Sequence, residues 1–362
     1  MTRVAVLGGG HGAYAAAADL AERGHEVRLW RRDRAAFAAV RDSGRITLTD
    51  ADGSRPVALA LASDDIGAAV AGAELIVVPG PAFAQDDIAR AMAPHLAPGQ
   101  VVFLPPGSFG SYTMAREVHA IAGLTGIAFA ETGTLPYLAR KHGPAEIAIA
   151  VRATRLPSGV FPARLGDAAL PVIAAAYPAI EPVEDALSGA LMNAGPIIHT
   201  PLILMNAGPL QHFERWDIHN EGTQPGIRNV TSALDAERIA VREALGYGAP
   251  HFPLADHYAE DGEEWMYGRR AHAKLTDSGD WREEIDLHSH RYMTEDVFYG
   301  LALLVSLAQW CGVPCPLAAG LLAMASAVVG RDLRAEGRTL ENLGLAGKTR
   351  DEVATLLRDG FA

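Results

Sequence analysis

The chain has 362 residues, long enough for two domains, and 49% hydrophobic and 20% charged residues are the composition of an ordinary globular protein. A net charge of −12 argues against a general nucleic-acid-binding protein. No apolar run has the length of a bilayer span, and glycines interrupt the first apolar segment, so neither a membrane anchor nor a signal peptide is expected.

Cys311 and Cys315 lie close together without further ligand residues nearby, which favours buried thiols over a metal site. We therefore expect a cytoplasmic protein with no metal, no nucleic-acid partner and no membrane partner.

Short β-rich segments alternate with alanine-rich helical segments from residue 1 to residue 182. The predicted strands are "RVAVLG", "EVRLW", "ELIVVPG", "QVVFLPPG" and "IAFAETG". Alternating strands and helices predict a parallel, doubly wound sheet with helices on both faces, as in an α/β Rossmann domain. The segment "ADGSRPVALALASD" predicts a local antiparallel excursion from it.

Long apolar-periodic segments that end at Gly or Pro follow from about Glu184. They are "DALSGALMNAGPIIHTPLILMNAGPLQHF", "NVTSALDAERIAVREALGYG", "TEDVFYGLALLVSLAQWCG" and "PLAAGLLAMASAVVGRDLRAEG". We expect an all-α C-terminal domain over residues 183–362, with "KLTDSGDW" as a polar loop and a homodimer as a plausible assembly.

The turn "GGGHGA" after the first strand has the G-x-G-x-x-G/A pattern of a dinucleotide site. Gly8 permits the tight turn, Gly10 lets the backbone approach a pyrophosphate, and Ala13 allows close helix–strand packing. The helix that begins here directs its N-terminus at the phosphates. The turn also contains His11 and Gly12, which we include among the cofactor-binding residues.

The end of the second strand, "LWRRD", determines which dinucleotide is favoured. An acid near position 31 would bind the ribose 2′-OH of NAD(H), but Arg31 and Arg32 stand there. A guanidinium can bind a 2′-phosphate through two hydrogen bonds, which favours NADP(H) over NAD(H). Asp33 could instead bind the ribose 2′-OH, so NAD(H) remains possible. Alternatively, the two arginines belong to a solvated charged turn with no part in cofactor binding.

Blocks along nearly the whole chain resemble the opine dehydrogenases, the octopine/nopaline dehydrogenase family. The blocks are "LGGGHGAYAAAADLA", "VVPGPAFAQ", "LPPGSFGS", "GPIIHTPLILMNAG", "NEGTQPGIRNVTSALDAERIAV", "HRYMTEDV" and "GRDLRAEGRTLENLGL", of which the last three are the most specific. The resemblance implies an NAD(P)H-dependent oxidoreductase that reductively condenses a 2-oxo acid with an amino acid or amine through an imine. It also implies that Pro79 contacts the cofactor.

The same resemblance implies roles for residues of the second half. It places an acid/base at His199, an orienting carboxylate at Asp296 and a substrate-carboxylate clamp at Arg291, and it places Glu221 and Thr223 at the substrate. Without the resemblance, His199 could be a core histidine, and Arg291 and Asp296 an ordinary helix-start charge pair. A structural polar loop remains the alternative for Glu221 and Thr223.

Two other functions remain open at this point. A 2-ketopantoate-reductase-like or hydroxyacid dehydrogenase would reduce a ketone, although the lysine of several such reductases has no counterpart between Val183 and Trp216. A catalytically silent NADP-binding sensor is the third possibility. The stretch "WDIHNEG", with Trp216 and His219, is unusual for the family and indicates an altered amine pocket.

Overall fold

The computed structural model describes residues 1–261, 263–277 and 281–361. The chain divides into two compact units, one of residues 1–190 with 354–362 and the other of residues 191–353. The division differs from the expected boundary at 182/183 and from the expected assignment of the C-terminus to the helical domain.

Close backbone packing explains why residues 183–190 belong to the first unit. A Cβ atom at Gly189 would lie 2.7 Å from the Glu131 carbonyl oxygen, and one at Gly159 would overlap the Asp185 carbonyl. Aromatic packing explains the C-terminal segment, because the Phe361 ring lies 5.3 Å from the ring of Phe161.

The first unit contains a large sheet with the Rossmann strand order. Its strands are β1 (Arg3–Leu7), β2 (Glu26–Trp30), β5 (Leu61–Ser63), β6 (Leu75–Val77), β7 (Val101–Leu104), β8 (Ala128–Thr132), β11 (Leu156–Phe161) and β12 (Ile180–Pro182). The spatial order is β12-β11-β8-β7-β6-β1-β2-β5. Neighbouring strands are parallel throughout, except that β11 is antiparallel to β8. This confirms the predicted parallel Rossmann sheet.

A second sheet of four strands packs against the helix that follows β1. It has the order β4-β3-β10-β9 and consists of β3 (Arg45–Asp50), β4 (Gly53–Ala58), β9 (Tyr137–Gly143) and β10 (Glu146–Arg152). β4 is antiparallel to β3, which confirms the first part of the predicted antiparallel excursion, whereas the end of the same segment forms β5, which is parallel to β2 in the large sheet. The β9–β10 hairpin had no counterpart among the predicted strands.

The helices of the first unit are α1 (His11–Glu22), α2 (Arg34–Ser43), α3 (Ile66–Val70), α4 (Gln85–Met92), α5 (Gly110–Ala122), α6 (Gly166–Ala176) and α7 (Ala186–Ala190). α1 lies at the centre of the core, with Ala15, Ala17 and Ala18 fully buried. Because alanine side chains are short, the helix can lie close to both sheets, which fixes the glycine turn at its N-terminus.

The second unit is helical apart from a two-residue ladder between β13 (Trp216–Asp217) and β14 (Arg282–Glu283). Its helices are α8 (Gly195–Met205), α9 (Ala207–His212), α10 (Pro225–Ala244), α11 (Ala255–Tyr258), α12 (Ala271–Asp277), a π-helix (Tyr292–Leu301), α13 (Ala302–Cys311), α14 (Pro316–Val329) and α15 (Leu333–Glu336); α16 (Arg350–Asp359) follows. This confirms the predicted helical second half.

Two predicted segments differ in detail. The apolar-periodic segment from residue 185 to 213 forms three helices, α7, α8 and α9, since Asn193 accepts a hydrogen bond from the Gly195 N–H and Asn206 donates to the Leu202 carbonyl. In "KLTDSGDW", expected as a polar loop, residues 274–277 are helical and residues 278–280 lie outside the described residues.

One segment, Ala186–Met205, is apolar and long enough to cross a membrane by length and composition, which the sequence interpretation had not recognised. In the structure 78% of its most apolar stretch is buried inside the protein, as in the core helix of a soluble protein. Length and composition alone are therefore weak support for a membrane span.

Candidate active site

The glycine turn of the first unit has the geometry that a dinucleotide phosphate group requires. Gly8 has φ +145° and donates its N–H to the Trp30 carbonyl at 2.9 Å, which ties the turn to the end of β2. A Cβ atom at Gly12 would lie 2.7 Å from Leu135 Cδ1 and 3.2 Å from the Pro79 carbonyl oxygen. The structure thus brings Pro79, which was expected to contact the cofactor, to the turn, and Ala13 is buried behind it. These residues fit a pyrophosphate at the N-terminus of α1.

Two cations lie beside this turn. The Arg31 side chain crosses Gly9 so closely that a Cβ atom there would overlap it, and its guanidinium donates to the Ala36 carbonyl at 3.1 Å and to the Tyr14 hydroxyl at 3.4 Å. Lys141 on β9 places Nζ 3.5 Å from the centroid of the Tyr14 ring and 3.4 Å from the Gly9 carbonyl. Burial, with the nearby charge of Arg31, lowers the pKa of Lys141 to about 8.

Lys141 is a residue that the sequence interpretation missed. Its backbone N–H donates to His11 Nδ1 at 2.8 Å, across 130 residues of chain. No local pattern marks a lysine on a strand that was itself not predicted. The contact also gives His11 a role at the turn, since it ties the start of α1 to β9.

The two residues after Arg31 point elsewhere. Arg32 is exposed, with Nη1 3.4 Å from Asp87 Oδ2. Asp33 is the N-cap of α2, and its Oδ1 accepts a hydrogen bond from the Ala36 N–H at 3.0 Å. The structure therefore brings Arg31, and not Arg32, to the glycine turn.

In the second unit, α8 and the π-helix bring His199 and Asp296 together. His199 Nδ1 lies 2.8 Å from Asp296 Oδ2, and the side chains are 14% and 9% exposed. Burial raises the pKa of Asp296 to about 7, against the opposing effect of the Arg291 charge. The pair can therefore gain or lose a proton near neutral pH.

Glycine makes this approach possible. A Cβ atom at Gly195, at the start of α8, would overlap Asp296 Oδ1, and one at Gly300 in the π-helix would overlap Pro196. The two helices thus pack more closely than side chains would allow. Glycine at positions 195 and 300 therefore allows the Asp296 carboxylate to reach the His199 imidazole.

Tyr292 holds the plane of the His199 ring. The two rings are stacked with centroids 3.7 Å apart and planes 10° apart. The Tyr292 hydroxyl lies 2.8 Å from His219 Nε2, and the His219 ring lies 5.8 Å from that of His199. Burial is the main cause that lowers the pKa of His219 well below its ordinary value, and the neighbouring cationic groups add to it. His219, noted as unusual in the sequence, is thus a neutral histidine beside His199 and Tyr292.

Arg291 is the residue directly before the π-helix. It is exposed, its Cζ lies 5.1 Å from the Tyr292 ring centroid, and no carboxylate of the described residues forms an ion pair with it. In a π-helix, hydrogen bonds join residues five apart, as between the Ala302 N–H and the Val297 carbonyl. This winding aligns positions 291 and 296 better than an α-helix would. The structure thus brings His199 and Asp296 into contact, and it places Arg291 near enough for its charge to oppose the rise in the pKa of Asp296.

Glu221 and Thr223 lie in the loop that carries His219, but their polar groups are engaged within it. Glu221 accepts a hydrogen bond from the Asp217 N–H at 3.0 Å and forms an ion pair with Arg282. The buried Thr223 hydroxyl donates to the Ile218 carbonyl at 3.0 Å. These contacts hold the loop in shape.

The chain is similar to known proteins over most of its length. Residues 182–329 match the family model of the NAD/NADP octopine/nopaline dehydrogenase alpha-helical domain, and residues 3–105 match that of the NAD-dependent glycerol-3-phosphate dehydrogenase N-terminus. An opine dehydrogenase of Arthrobacter sp. (strain 1C) is 30% identical over 352 residues, with 95% of this chain and 96% of the relative covered.

Two solved structures have the same fold. An octopine dehydrogenase in complex with NADH and agmatine has a TM-score of 0.74 at 19% identity, with 98% of each chain covered. A yersinopine dehydrogenase with bound NADP+ has a TM-score of 0.68 at 15% identity, with 99% of this chain and 98% of that chain covered. The chain thus belongs to the opine dehydrogenase family of NAD(P)-dependent oxidoreductases.

Proposed function

We propose that this enzyme reduces, with NADPH, the imine formed between a 2-oxo acid and an amino acid or amine, with His199, Asp296 and Arg291 as its catalytic residues. The observation that carries the assignment is the 2.8 Å contact of His199 with a buried carboxylate whose pKa is raised to about 7. Such a pair exchanges a proton near neutral pH, as reversible imine formation requires.

His199 passes protons through Nε2, because Nδ1 is engaged by Asp296. It gives a proton to the departing hydroxyl oxygen of the carbinolamine, so that water leaves and the electrophilic imine forms. Asp296 stabilises the protonated imidazole, and stacking on Tyr292 keeps the ring oriented. The bound nicotinamide cofactor supplies the hydride to the imine carbon.

Arg291 binds the carboxylate of the 2-oxo acid. Its guanidinium, which forms no ion pair with the carboxylates of the described residues, can donate two parallel hydrogen bonds to a substrate carboxylate. Glu221 and Thr223 shape the adjoining loop and contribute to substrate binding by positioning His219.

NADP(H) is the favoured cofactor. Arg31 and Lys141 place two positive charges beside the glycine turn, where a 2′-phosphate would neutralise both. Asp33, the residue that could serve NAD(H), caps α2 with its carboxylate. The assignment differs from the sequence expectation in giving Arg32 no part in phosphate binding and in adding Lys141.

We further propose a cytoplasmic homodimer without a nucleic-acid or membrane partner. Cys311 and Cys315 are both free, as expected in a reducing compartment, and burial raises the pKa of the Cys315 thiol to about 11, which keeps this thiol unreactive. Light scattering on the purified protein measures the subunit number, and a monomer would contradict this assembly.

The decisive experiment is a reductive panel of amines and amino acids with pyruvate or glyoxylate, in the presence of NADPH or NADH. We expect NADPH oxidation only when both an oxo acid and an amine are present, with a secondary amine as product. Oxidation with the oxo acid alone would instead establish a ketone reductase. Cofactor binding without turnover over the whole panel would establish a sensor.

A further inference from the structure

His219 is a buried histidine that the proton transfers described above do not use. Its ring packs edge-to-face against Trp281, with the ring centroids 5.4 Å apart and the planes at 79°. Its Nε2 lies 2.8 Å from the Tyr292 hydroxyl, and the residue is only 5% exposed. The ring is therefore held in one orientation, with Nε2 directed at the tyrosine that stacks on His199.

The loop that carries His219 is bound to the helix that carries His199. Asn206, the residue that ends α8, accepts a hydrogen bond from Trp216 Nε1 at 3.0 Å and donates one to the Gly222 carbonyl at 3.1 Å. A single side chain of α8 thus binds both ends of the loop. The contacts from α8 through this loop and Tyr292 back to His199 form a closed circuit.

The backbone at His219 is fixed as well. Asp217 Oδ1 accepts hydrogen bonds from the N–H groups of His219 and Asn220, at 2.9 and 3.0 Å. The two-residue ladder of this unit pairs Asp217 with Arg282, the residue that follows Trp281. The same ladder therefore sets the position of His219 and of the indole against which it packs.

His219 is neutral near neutral pH. Burial, followed by the charge of His199, lowers the pKa of His219 well below its ordinary value. Two imidazoles whose ring centroids lie 5.8 Å apart would repel each other if both were protonated. The additional proton therefore belongs to the His199–Asp296 pair, and Nε2 of His219 is an uncharged hydrogen-bonding group for the Tyr292 hydroxyl.

The Tyr292 ring contacts two groups that the proposed reaction needs. Its face lies 3.7 Å from the His199 imidazole, and the Arg291 guanidinium lies 5.1 Å from its centroid. Because an aromatic face attracts a cation, the parallel ring stabilises the protonated imidazole. The ring is attached to the backbone at one end only, and rotation of the side chain would tilt it out of the stack. The hydrogen bond between the hydroxyl at its other end and His219 opposes that rotation.

We propose that His219 is a positioning residue of the reaction, which holds the Tyr292 ring parallel to the His199 imidazole through the Tyr292 hydroxyl and so directs His199 Nε2 at the carbinolamine oxygen. This inference rests on the proposed function, in which His199 transfers protons. Loss of the hydroxyl contact should therefore lower kcat. It should leave NADPH binding unchanged, since the glycine turn belongs to the other unit.

The first test measures kcat with pyruvate, NADPH and the most active amino acid or amine of the reductive panel. Tyr292→Phe removes only the hydroxyl oxygen and keeps the stacked ring, and we expect kcat to fall about tenfold with an unchanged dissociation constant for NADPH. Tyr137→Phe is the matched control, because the buried Tyr137 hydroxyl donates to Asp19 Oδ2 at 3.0 Å in the other unit. The control should lower the melting temperature by a similar amount and keep the wild-type kcat. A Tyr292→Phe enzyme with wild-type kcat would overturn the inference.

A double-mutant cycle separates positioning from a general loss of structure. His219→Phe keeps an aromatic ring against Trp281 but lacks Nε2, and it should lower kcat about as much as Tyr292→Phe does. The double variant should lose little more than either single variant, whereas additive losses would overturn the inference. His219→Leu replaces His219→Phe in the cycle if the phenylalanine variant does not fold.

A conservative replacement of His219 provides a rescue experiment. His219→Gln supplies an amide that can hydrogen-bond to the Tyr292 hydroxyl, so it should keep a higher kcat than His219→Phe. Equal activity of the two variants would assign the loss to packing and overturn the inference. If the wild type shows no amine-dependent oxidation of NADPH at all, the proposed function fails and this inference fails with it.

Discussion

The imidazole of His199 and the carboxylate of Asp296 lie 2.8 Å apart although 97 residues of chain separate them. The contact depends on a close crossing of α8 and the π-helix, where Gly195 and Gly300 leave room for the partner helix. A carboxylate buried in this way without a hydrogen-bonding partner would destabilise the fold, so the pair contributes to folding as well as to the chemistry.

Replacing His199 by alanine should lower kcat about 10²- to 10⁴-fold, because proton transfer to the carbinolamine loses its donor. The dissociation constant for NADPH should change little, since His199 belongs to the helical unit and the glycine turn to the other. Stopped-flow turnover and fluorescence titration with NADPH measure the two quantities. His212→Asn, at an exposed histidine, is the control, and a His199→Ala enzyme with wild-type kcat would refute the assignment.

The rate of reductive condensation should depend on an ionisation near neutral pH. Because burial raises the pKa of Asp296 to about 7, the His199–Asp296 pair holds its additional proton below this pH and loses it above. We expect kcat/KM in the reductive direction to fall as the pH rises through about 7. In Asp296→Asn the amide cannot stabilise the imidazolium, so the midpoint should move to lower pH and kcat should fall. An unchanged pH profile in this variant would exclude Asp296 from the proton transfer.

The sequence predicted the Rossmann sheet and the glycine turn, and it indicated the three positions proposed here as catalytic, because each depends on a local motif or on a block that resembles a family. Lys141 and Tyr292 contact the site from distant segments of the chain, and such contacts leave no local pattern. For a related reason, the sequence could not indicate that Arg32 lies away from the glycine turn. Two adjacent arginines read alike in sequence, and the direction of the strand end decides that only Arg31 reaches the turn.

Helix boundaries show the same limit. Apolar periodicity indicated helix from residue 294 to 312 but does not distinguish the π-helix from α13, since both bury an apolar face. The breaks before and after α8 depend on hydrogen bonds between the backbone and the side chains of Asn193 and Asn206. Elsewhere in a helix an asparagine can simply face solvent, so its presence in the sequence does not predict a break.

Arg31 should determine the preference for NADPH. Arg31→Ala removes the guanidinium that we propose binds the 2′-phosphate, and it should reduce kcat/KM for NADPH about ten- to hundredfold, with little change for NADH. Lys141→Ala should reduce it in the same direction. Arg32→Ala is the matched control, since its exposed side chain pairs with Asp87, and it should retain the wild-type ratio of NADPH to NADH. If Arg32→Ala lost the preference and Arg31→Ala kept it, the placement of the phosphate would be wrong.

Gly195 should be essential because of the space that it leaves for Asp296. In Gly195→Ala the new methyl group would overlap Asp296 Oδ1, so the carboxylate must move away from His199. Gly→Ala within a helix ordinarily stabilises a protein by about 0.4–1 kcal/mol, so a loss of stability at this position would come from the overlap with Asp296 rather than from helix propensity.

Gly208→Ala in α9 is the control, since no atom lies within 4 Å of the added methyl group. We expect Gly195→Ala to lower kcat and to weaken the pH dependence near 7, while Gly208→Ala keeps both. Melting temperature and the pH profile of kcat/KM, measured on the two variants together, separate a displaced carboxylate from general unfolding, and a fully active Gly195→Ala would show that the His199–Asp296 contact is not needed for turnover.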